Sequence, residues 1–459
     1  MDEELTYAPR ATLLGLIAEL REQLGVLGAQ LAASQAQVAT LAARVAELEQ
    51  RDPPAWAKPN RPKPQEPRPP RNKRQQNFSR RREDPTVVVE HAAACCANCG
   101  AALAGGWVRW RRQVIDLPVA SARVTEHRVL ARRCPDCGRT VTPTLDLSGE
   151  VLGRHRVSLG LMAFIALLRE QTRLPLGLMQ RYLQTVHGLR LSQGELVSIL
   201  QTVGRQAEAA VTAIRAAIRQ SPVVHADETG WREAGQNQYL WSASTPELRY
   251  FLVGSRRKEM VEALLGPDFA GVLVTDFYAA YDHYPGPHQR CWIHLLRDIH
   301  ELRRKHPADV GLARWGRFVH HLYRAAVRAP APLASLSPAA QAAWRRQRQQ
   351  AYAEVLARHC RPFIGQPVPQ RMLCERILKY LSELFTFLVD SRVPADNNAA
   401  ERSIRPVVVR RKISGGTRST AGTLARTTLW TLTDTWHLQG KSVLDGWTAL
   451  LRHPAVAPV

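Results

Sequence analysis

Two short apolar runs, each ending in an aspartate, constrain this chain more than any other feature. They are Pro222–Asp227 and Gly271–Asp276. β-Branched and apolar residues in runs of this length predict buried strands, and a proline at the first position of a strand removes no interior hydrogen bond. Two such strands side by side would bring two carboxylates together at one sheet edge.

Paired carboxylates of this kind indicate a metal site. Two like charges held close together are costly unless a cation neutralises them. Hard oxygen ligands suit Mg²⁺ or Mn²⁺. The competing interpretation is that Asp227 and Asp276 are ordinary strand-end or turn residues, and the repetition of the pattern favours the metal site over it.

The charge of the chain indicates an anionic partner. Among 459 residues, 63 Lys and Arg stand against 40 Asp and Glu, which gives a formal net charge of +23 at pH 7. Such an excess predicts binding to nucleic acid, with a generically basic protein as the alternative. At this length we expect two to four domains.

The sequence also predicts a cytoplasmic, nucleoid-associated protein without a membrane partner. Its start, Met1–Glu4, is acidic rather than signal-like, and the most apolar run, 159–168, is far shorter than the ~20 residues that a span needs. In a reducing compartment the eight cysteines are not expected to form disulfides.

Residues 1–50 predict a coiled coil, and residues 51–85 a basic, proline-rich linker. Apolar residues at alternating spacings of four and three are typical of a helix that self-associates, although packing on its own protein is the alternative. The density of proline and charge in the linker cannot support a core. The arginines at its end are predicted to contact DNA phosphates, with a plain spacer as the alternative: Arg80, Arg81 and Arg82.

Two Cys-x-x-Cys-Gly knuckles predict a structural zinc site within residues 86–147. Their cysteines are Cys96, Cys99, Cys134 and Cys137. Four thiolates leave no open position on zinc, so the ion would be structural. Strand-like stretches at 108–117 and 123–132 would complete a zinc ribbon, and a redox role for the cysteines is the alternative.

Residues 148–220 predict a helical DNA-binding segment with a helix-turn-helix outline. A helix at 176–187 is followed by Gly188, and Ser192 with Glu195 forms a capping box that opens the next helix. A helix, a short glycine-containing turn and a capped helix are typical of this DNA-binding motif. An ordinary helical pair explains the pattern as well.

Residues 221–294 predict the first part of a ribonuclease H-like core. Further strands at 238–244, 248–253 and 288–293, and a helix at 258–265, join the two strands that end in aspartate. The elements of that fold follow in the order strand, strand, strand, helix, strand, helix, strand. In it the first acid lies on the first strand, the second just after the fourth, and the third on a later helix.

The third acid is predicted beyond a helical insertion at 295–390, which holds a helix at 342–359 and a leucine stripe from 373 to 388. The core resumes at 391–420, where Asp396 or Asn397 suits a helix N-cap and Glu401 lies about one turn in. Glu375 and Glu383 are rival third acids. The basic residues that follow are predicted to contact the DNA backbone: Arg402, Arg405, Arg410, Arg411 and Lys412. Residues 421–459 predict a helical tail.

Taken together, these motifs resemble the IS66 family of insertion-sequence transposases, within the DDE class. The resemblance is carried by three motifs and by the order of the segments, so it covers nearly the whole chain. The motifs are His225-Ala226-Asp227-Glu228-Thr229, the run Val274 to Tyr281, and Asp396-Asn397-Asn398 through Glu401-Arg402. The pair Cys291 and His294 is similar to a Cys-x-x-His signature that follows the second acid in several DDE families, and we do not assign it a metal.

The resemblance implies a multidomain α/β protein whose catalytic triad is Asp227, Asp276 and Glu401. It implies that these residues hold two divalent ions, Mg²⁺ or Mn²⁺, and that the enzyme cuts the ends of its element and joins their 3′ ends to target DNA. The implied partners are double-stranded DNA, other copies of the chain and accessory transposition proteins.

Two alternative functions stay open at this stage. One is a DNA-binding regulator derived from such an enzyme, and the other is a metal-dependent nuclease on the same fold. The presence of all three acids argues against the first. The zinc ribbon, the helix-turn-helix outline and the coiled coil favour an enzyme that holds two specific DNA ends over the second.

Overall fold

The computed structural model describes residues 10–50, 84–115, 120–153, 155–329, 331 and 334–453. The chain divides into two compact units, Met1–Ile115 and Asp116–Val459. The predicted DNA contacts Arg80, Arg81 and Arg82, with nearly all of the predicted linker, lie outside the described residues. No helix in the described part of the chain combines the length and apolar character that a membrane span needs.

The first unit contains one long helix, α1, at Arg10–Gln50. Apolar heptad residues along it are exposed, among them Leu24, Leu31 and Val38 at 61–68% of their full accessibility. A stripe of exposed apolar side chains on a single helix is a surface suited to a partner. The predicted helix is thus present, and self-association through its exposed stripe stays a prediction.

Strand structure around the second cysteine pair is shorter than predicted. Only β1 at Arg132–Arg133 and β2 at Thr140–Val141 form, as an antiparallel pair. The strands predicted at 108–117 and 123–132 are absent from the described part of those stretches, apart from Arg132 itself. Apolar side chains in them are exposed, Trp110 and Val124 for example, as is Trp107 beside the first stretch, so no buried face stabilises a sheet there.

Four helices precede the central sheet of the second unit, and a glycine and a serine set the boundary between the middle two. Gly188 ends the second helix with φ 67°, and Ser192 Oγ accepts from the Glu195 N–H at 3.1 Å. The Glu195 carboxylate pairs instead with Arg156 at 2.8 Å, so only half of the predicted capping box forms. The helices are α2 at Leu159–Glu170, α3 at Leu176–His187, α4 at Gln193–Gln206 and α5 at Glu208–Arg219.

The central sheet has five strands in the order β5-β4-β3-β6-β7. β4 is antiparallel to both β3 and β5, β6 lies parallel beside β3, and β7 lies parallel beside β6. The strands are β3 at Val223–Glu233, β4 at Gln236–Ser244, β5 at Arg249–Gly254, β6 at Val272–Thr275 and β7 at His288–Arg290. The helix α6, Glu259–Leu265, connects β5 to β6.

The first strand of this sheet is longer than the sequence predicts. β3 does not end at Asp227 but continues to Glu233, because it pairs with β4 along a hairpin that closes at Ala234 and Gly235. Both of these residues have positive φ, 48° and 81°, which is the geometry of a tight two-residue hairpin turn. Asp227 therefore lies within a strand, whereas Asp276 directly follows the end of β6, as predicted.

An all-helical region with its own hydrophobic core follows β7. It begins at Trp292, so the strand predicted at 288–293 is cut short at Arg290. The leucine stripe at 373–388 is not one helix, because the chain turns between Lys379 and Thr386. The helices are α7 at Trp292–Lys305, α8 at Val310–Val327, α9 at Pro338–Cys360, α10 at Arg371–Lys379 and α11 at Thr386–Val389.

Three helices follow: α12 at Asn398–Ser414, α13 at Thr420–Leu438 and α14 at Val443–Arg452. The first two pack on the sheet, and α14 packs on α2 and α13. Val407 of α12 and Trp430 of α13 pack with β3, β4 and β5. Two threonines of α13 accept the outward N–H groups of the edge strand β5 at 3.0 and 3.2 Å, which protects that edge from pairing with another chain. On the other side of the sheet, α2 to α5 share one hydrophobic core with it and with α13 and α14.

Candidate active site

The first two predicted acids lie next to each other on adjacent parallel strands. His225 of β3 is level with Val274 of β6, and Asp227 and Asp276 lie two residues further along the chain from each, Asp276 directly after the end of β6. Asp227 Oδ1 accepts from the Glu228 N–H at 2.9 Å, and Asp276 Oδ1 accepts from the Tyr278 N–H at 2.9 Å. The parallel register therefore brings together two carboxylates that are 49 positions apart in the chain.

The environment of Asp227 is strongly unfavourable to a negative charge. Burial raises the pKa of its carboxyl well above its usual range, and the charges of Asp276, Glu228 and Glu401 raise the pKa further, against the opposing hydrogen bond from the Glu228 N–H. Burial and the nearby acids thus both oppose ionisation of Asp227, a combination that is common at functional sites.

Glu401, the third predicted acid, lies in the first turn of α12. Its Oε1 is buried, 3.5 Å from His294 Nε2 and 3.5 Å from Arg297 Nη2, and hydrogen-bonds to no described residue. The rivals lie elsewhere: Glu375 is at the surface beside Arg371 at 3.8 Å, and Glu383 binds Arg290 at 2.7 Å. Glu401 is thus the candidate whose charge reaches Asp227.

These three side chains suit a divalent cation. They offer only carboxylate oxygens, the donors that Mg²⁺ and Mn²⁺ prefer, and Glu401 Oε1 has no hydrogen bond to lose. Within the described ranges, no three His, Cys, Asp or Glu side chains already converge as a formed metal site. Closing the three acids on an ion would require Glu401 to turn away from His294 and Arg297.

One acid near Asp276, Glu228, was not singled out from the sequence. Its oxygens take the Arg256 guanidinium at 3.0 Å and the Tyr281 hydroxyl at 3.0 Å. Burial, and secondarily the charge of Asp276, raise the pKa of Glu228. Because neighbouring residues in a strand point to opposite faces, the strand pattern did not place Glu228 with Asp227. Only its position next to Asp227 in the chain could have drawn attention to it.

The basic run on α12 is divided between the surface and the interior. Arg402, Arg405 and Lys412 are exposed, as DNA contact requires. The prediction for Arg410 needs correction: its side chain is only 3% exposed and is bound bidentately to Asp434 at 2.7 and 3.0 Å. It also donates to the backbone oxygen of Glu170.

Arg411 is a second correction within the same run. Its guanidinium is half-buried and donates to the backbone oxygen of Gly230 and to Thr229 Oγ1. Burial lowers the pKa of Arg411. Arg410 and Arg411 therefore hold α12 against its neighbours, and the predicted DNA contacts in this run are reduced to the three exposed residues.

The two cysteine knuckles have the same local geometry. Gly100 and Gly138 have φ of 76° and 68°, and each donates its N–H to the backbone oxygen of the first cysteine of its knuckle, at 2.8 and 3.0 Å. Backbone N–H groups lower the pKa of the Cys96 thiol, through Asn98 and Cys99. Those of Cys137 and Asp136 lower the pKa of Cys134 in the same way. Each knuckle thus favours the thiolate that zinc requires.

Sequence comparison connects both regions to one family. The family model described as "Transposase IS66 family" matches residues 154–425, more than half of the chain and including all three acids. A second model, described as "zinc-finger binding domain of transposase IS66", matches residues 93–138 and includes both knuckles.

Two curated proteins from Sinorhizobium fredii (strain NBRC 101917 / NGR234) are similar to this chain. The uncharacterized protein y4qI is 24% identical over 317 residues, which is 62% of this chain and 57% of that protein. The uncharacterized protein y4jO is 30% identical over 173 residues, which is 35% of this chain and 50% of that protein. The chain therefore spans about half the length of the curated relatives that it matches.

Proposed function

The chain belongs to the IS66 transposase family, and from that premise we propose that it is a DNA transposase that cuts the ends of an insertion sequence and joins their 3′ ends to target DNA. The observation that carries the proposal is the side-by-side position of Asp227 and Asp276, with Glu401 close enough for its charge to raise the pKa of Asp227.

The proposed catalytic core is ribonuclease H-like. Three antiparallel strands followed by two parallel ones, in the order β5-β4-β3-β6-β7, support this assignment. So does the chain position of the acids: the first on the first strand, the second after the fourth, and the third on a helix after the fifth. The all-helical region between β7 and α12 is the proposed insertion.

In the proposed mechanism, Asp227, Asp276 and Glu401 would hold two divalent ions, Mg²⁺ or Mn²⁺. When bound, such ions lower the pKa of an attacking water and neutralise charge on the phosphodiester. Glu401 would turn from His294 and Arg297 to reach an ion, and the buried setting of Asp227 would strengthen its attraction for a cation. Arg402 and Arg405, exposed on the same helix, would hold the DNA backbone.

Cleavage and joining can use the same three side chains. Both are displacements at phosphorus, first by water and then by the freed 3′ hydroxyl, so no covalent protein–DNA intermediate is required. We further propose that Cys96, Cys99, Cys134 and Cys137 hold one structural zinc, which the single zinc-finger match over both knuckles supports. DNA binding by residues 148–220 and assembly of copies through α1 belong to the same proposal.

An assay with a labelled DNA end and a target plasmid tests this function. The proposal expects Mg²⁺-dependent cutting and covalent joining of the 3′ end to the plasmid. Cutting without joining would instead support the nuclease, and binding of the end without cutting would support the regulator. Asp276→Asn should bind the end and do neither reaction.

A further inference from the structure

The polar atoms of one buried residue, Asn397, connect to all three acid-bearing segments. Asn397 is fully buried and immediately precedes α12. Its backbone oxygen accepts from the Glu401 N–H at 3.2 Å. Its Nδ2 donates to the backbone oxygen of Ala226 at 2.8 Å, and Ala226 is the residue before Asp227.

The other two polar atoms of Asn397 extend this set of contacts. Its backbone N–H donates to Cys291 Sγ at 3.1 Å, and the Cys291 N–H donates to the backbone oxygen of Thr275 at 2.8 Å. Thr275 is the residue before Asp276. Asn397 thus bonds directly to the residue before the first acid and to the third acid, and reaches the residue before the second through Cys291.

The fourth contact fixes the orientation of the Asn397 amide. The Ala226 oxygen can only accept, so the amide nitrogen must face it, and Oδ1 must face His225 Nδ1 at 3.0 Å. His225 therefore carries its proton on Nδ1. Each of the four polar atoms of Asn397 thus has a hydrogen-bond partner, so a change of side chain leaves buried groups without partners.

We propose that Asn397, assisted by Cys291, is the positioning residue that sets the spacing of Asp227, Asp276 and Glu401 for their cation. This inference rests on the proposed two-metal function. It assigns the Cys-x-x-His pair a role: Cys291 connects the second acid to Asn397, and His294, three residues on in α7, faces Glu401. Partners that orient metal ligands without touching the metal commonly change metal affinity 10- to 100-fold when removed.

Gln289 provides a matched control. It is fully buried, donates through Nε2 to the backbone oxygens of Arg290 and Leu384 at 2.7 and 3.2 Å, and accepts from the Phe387 N–H at 2.9 Å. Its side chain joins β7 to the helical region and makes no bond to an acid or to the residue before one. Gln289→Ala should therefore lose three buried side-chain hydrogen bonds, against two for Asn397→Ala, without disturbing the acids.

The experiment compares full-length wild type, Asn397→Ala, Cys291→Ala and Gln289→Ala by calorimetric titration with Mn²⁺ and by melting temperature. Asn397→Ala should bind Mn²⁺ about 10- to 100-fold more weakly and Cys291→Ala should be weaker in the same direction by a smaller factor. Gln289→Ala should melt earlier yet bind Mn²⁺ within about twofold of wild type. In the cutting assay, excess Mn²⁺ should restore the maximal rate of Asn397→Ala, since a positioning defect raises the metal concentration required.

Two results would overturn the inference: Mn²⁺ affinity unchanged in both Asn397→Ala and Cys291→Ala, or affinity lost equally in Gln289→Ala. Cys291→Ala removes only a thiol, so it keeps the test decisive if Asn397→Ala does not fold. Failure of the proposed function looks different. In that case Asp276→Asn would bind Mn²⁺ as tightly as wild type does, and the wild-type protein would show no metal-dependent cutting.

Discussion

The cysteine knuckles and the carboxylate cluster are built in opposite ways. Each knuckle is complete within five residues, because a glycine in the left-handed region turns the chain and nearby N–H groups stabilise the thiolate. The carboxylate cluster collects residues from β3, from the end of β6 and from α12, and a buried asparagine connects two of these segments directly and the third through Cys291. Each knuckle can therefore form from neighbouring residues alone, whereas the carboxylate cluster forms only when α12 packs against the sheet.

The largest expected effect belongs to the knuckles. Structural zinc in small domains is bound by on the order of 10 kcal/mol or more, and that energy needs all four thiolates. Cys96→Ser and Cys134→Ser should therefore each reduce zinc from a single ion per chain to nearly none, as measured by elemental analysis of the purified full-length protein. Cys95→Ser is the matched control and should retain zinc. Zinc kept by either knuckle variant would show that the two knuckles do not share one ion.

The next effect tests the assembled cluster. Glu401→Gln keeps the shape of the side chain and removes its charge, so it should bind DNA ends but cut them at least about a thousandfold more slowly, about 4 kcal/mol of transition-state stabilisation. Glu375→Gln, at the surface of the helical region, should cut at the wild-type rate. If Glu375→Gln were inactive and Glu401→Gln active, the third acid would be wrongly assigned.

This contrast explains how much the sequence could predict. Local sequence predicted the features that depend on neighbouring residues in the chain. They are the knuckles, the turn at Gly188 and the strands that lead to Asp227 and Asp276. The continuation of β3 to Glu233 was not predicted, because pairing with β4 overrides the end of the apolar run. The position of Glu401, 125 residues beyond Asp276, depends on how α12 docks, which spacing alone cannot supply.

The basic run on α12 shows the same limit. Its charges look equivalent in sequence, yet Arg410 is buried between Glu170 and Asp434 while Arg405 faces solvent. Only the packing of α12 against α2 and α13 distinguishes them.

That difference gives a third prediction. Arg410→Ala should lower the free energy of unfolding by about 3–5 kcal/mol, because it leaves Asp434 buried without its partner. Arg405→Ala should change stability by less than about 0.5 kcal/mol but flatten the slope of log K against log salt for DNA by about 0.9. Chemical denaturation and DNA titrations at several salt concentrations measure the two quantities. An Arg410→Ala protein as stable as Arg405→Ala would contradict the buried ion pair.

The smallest expected effect concerns the energetic cost of assembling the carboxylates. The pKa of Asp227 is raised in the folded protein, mainly by burial and then by Asp276. The folded state therefore holds this proton more tightly than the unfolded state does. The stability that Asp227 contributes is complete below its unfolded pKa, near 3.9, and is lost as pH rises through the folded pKa. At neutral pH, without metal, that contribution is reduced, because the folded environment opposes ionisation of Asp227.

Asp227→Asn, which carries no charge, should consequently be more stable than wild type by about 1 kcal/mol at pH 7 in the presence of a chelator. That advantage should shrink as the pH falls toward 4, where the wild-type carboxyl becomes protonated. Denaturation curves of both proteins across this range measure the difference directly. Asp268→Asn, at an exposed position, should differ from wild type by the same small amount at every pH. Added Mn²⁺ should reverse the order, because it binds and stabilises only the protein that retains its carboxylate. If Asp227→Asn were less stable than wild type at pH 7 without metal, the carboxylates would not oppose folding. The carboxylate cluster would then not differ in this respect from the knuckles, which form from neighbouring residues.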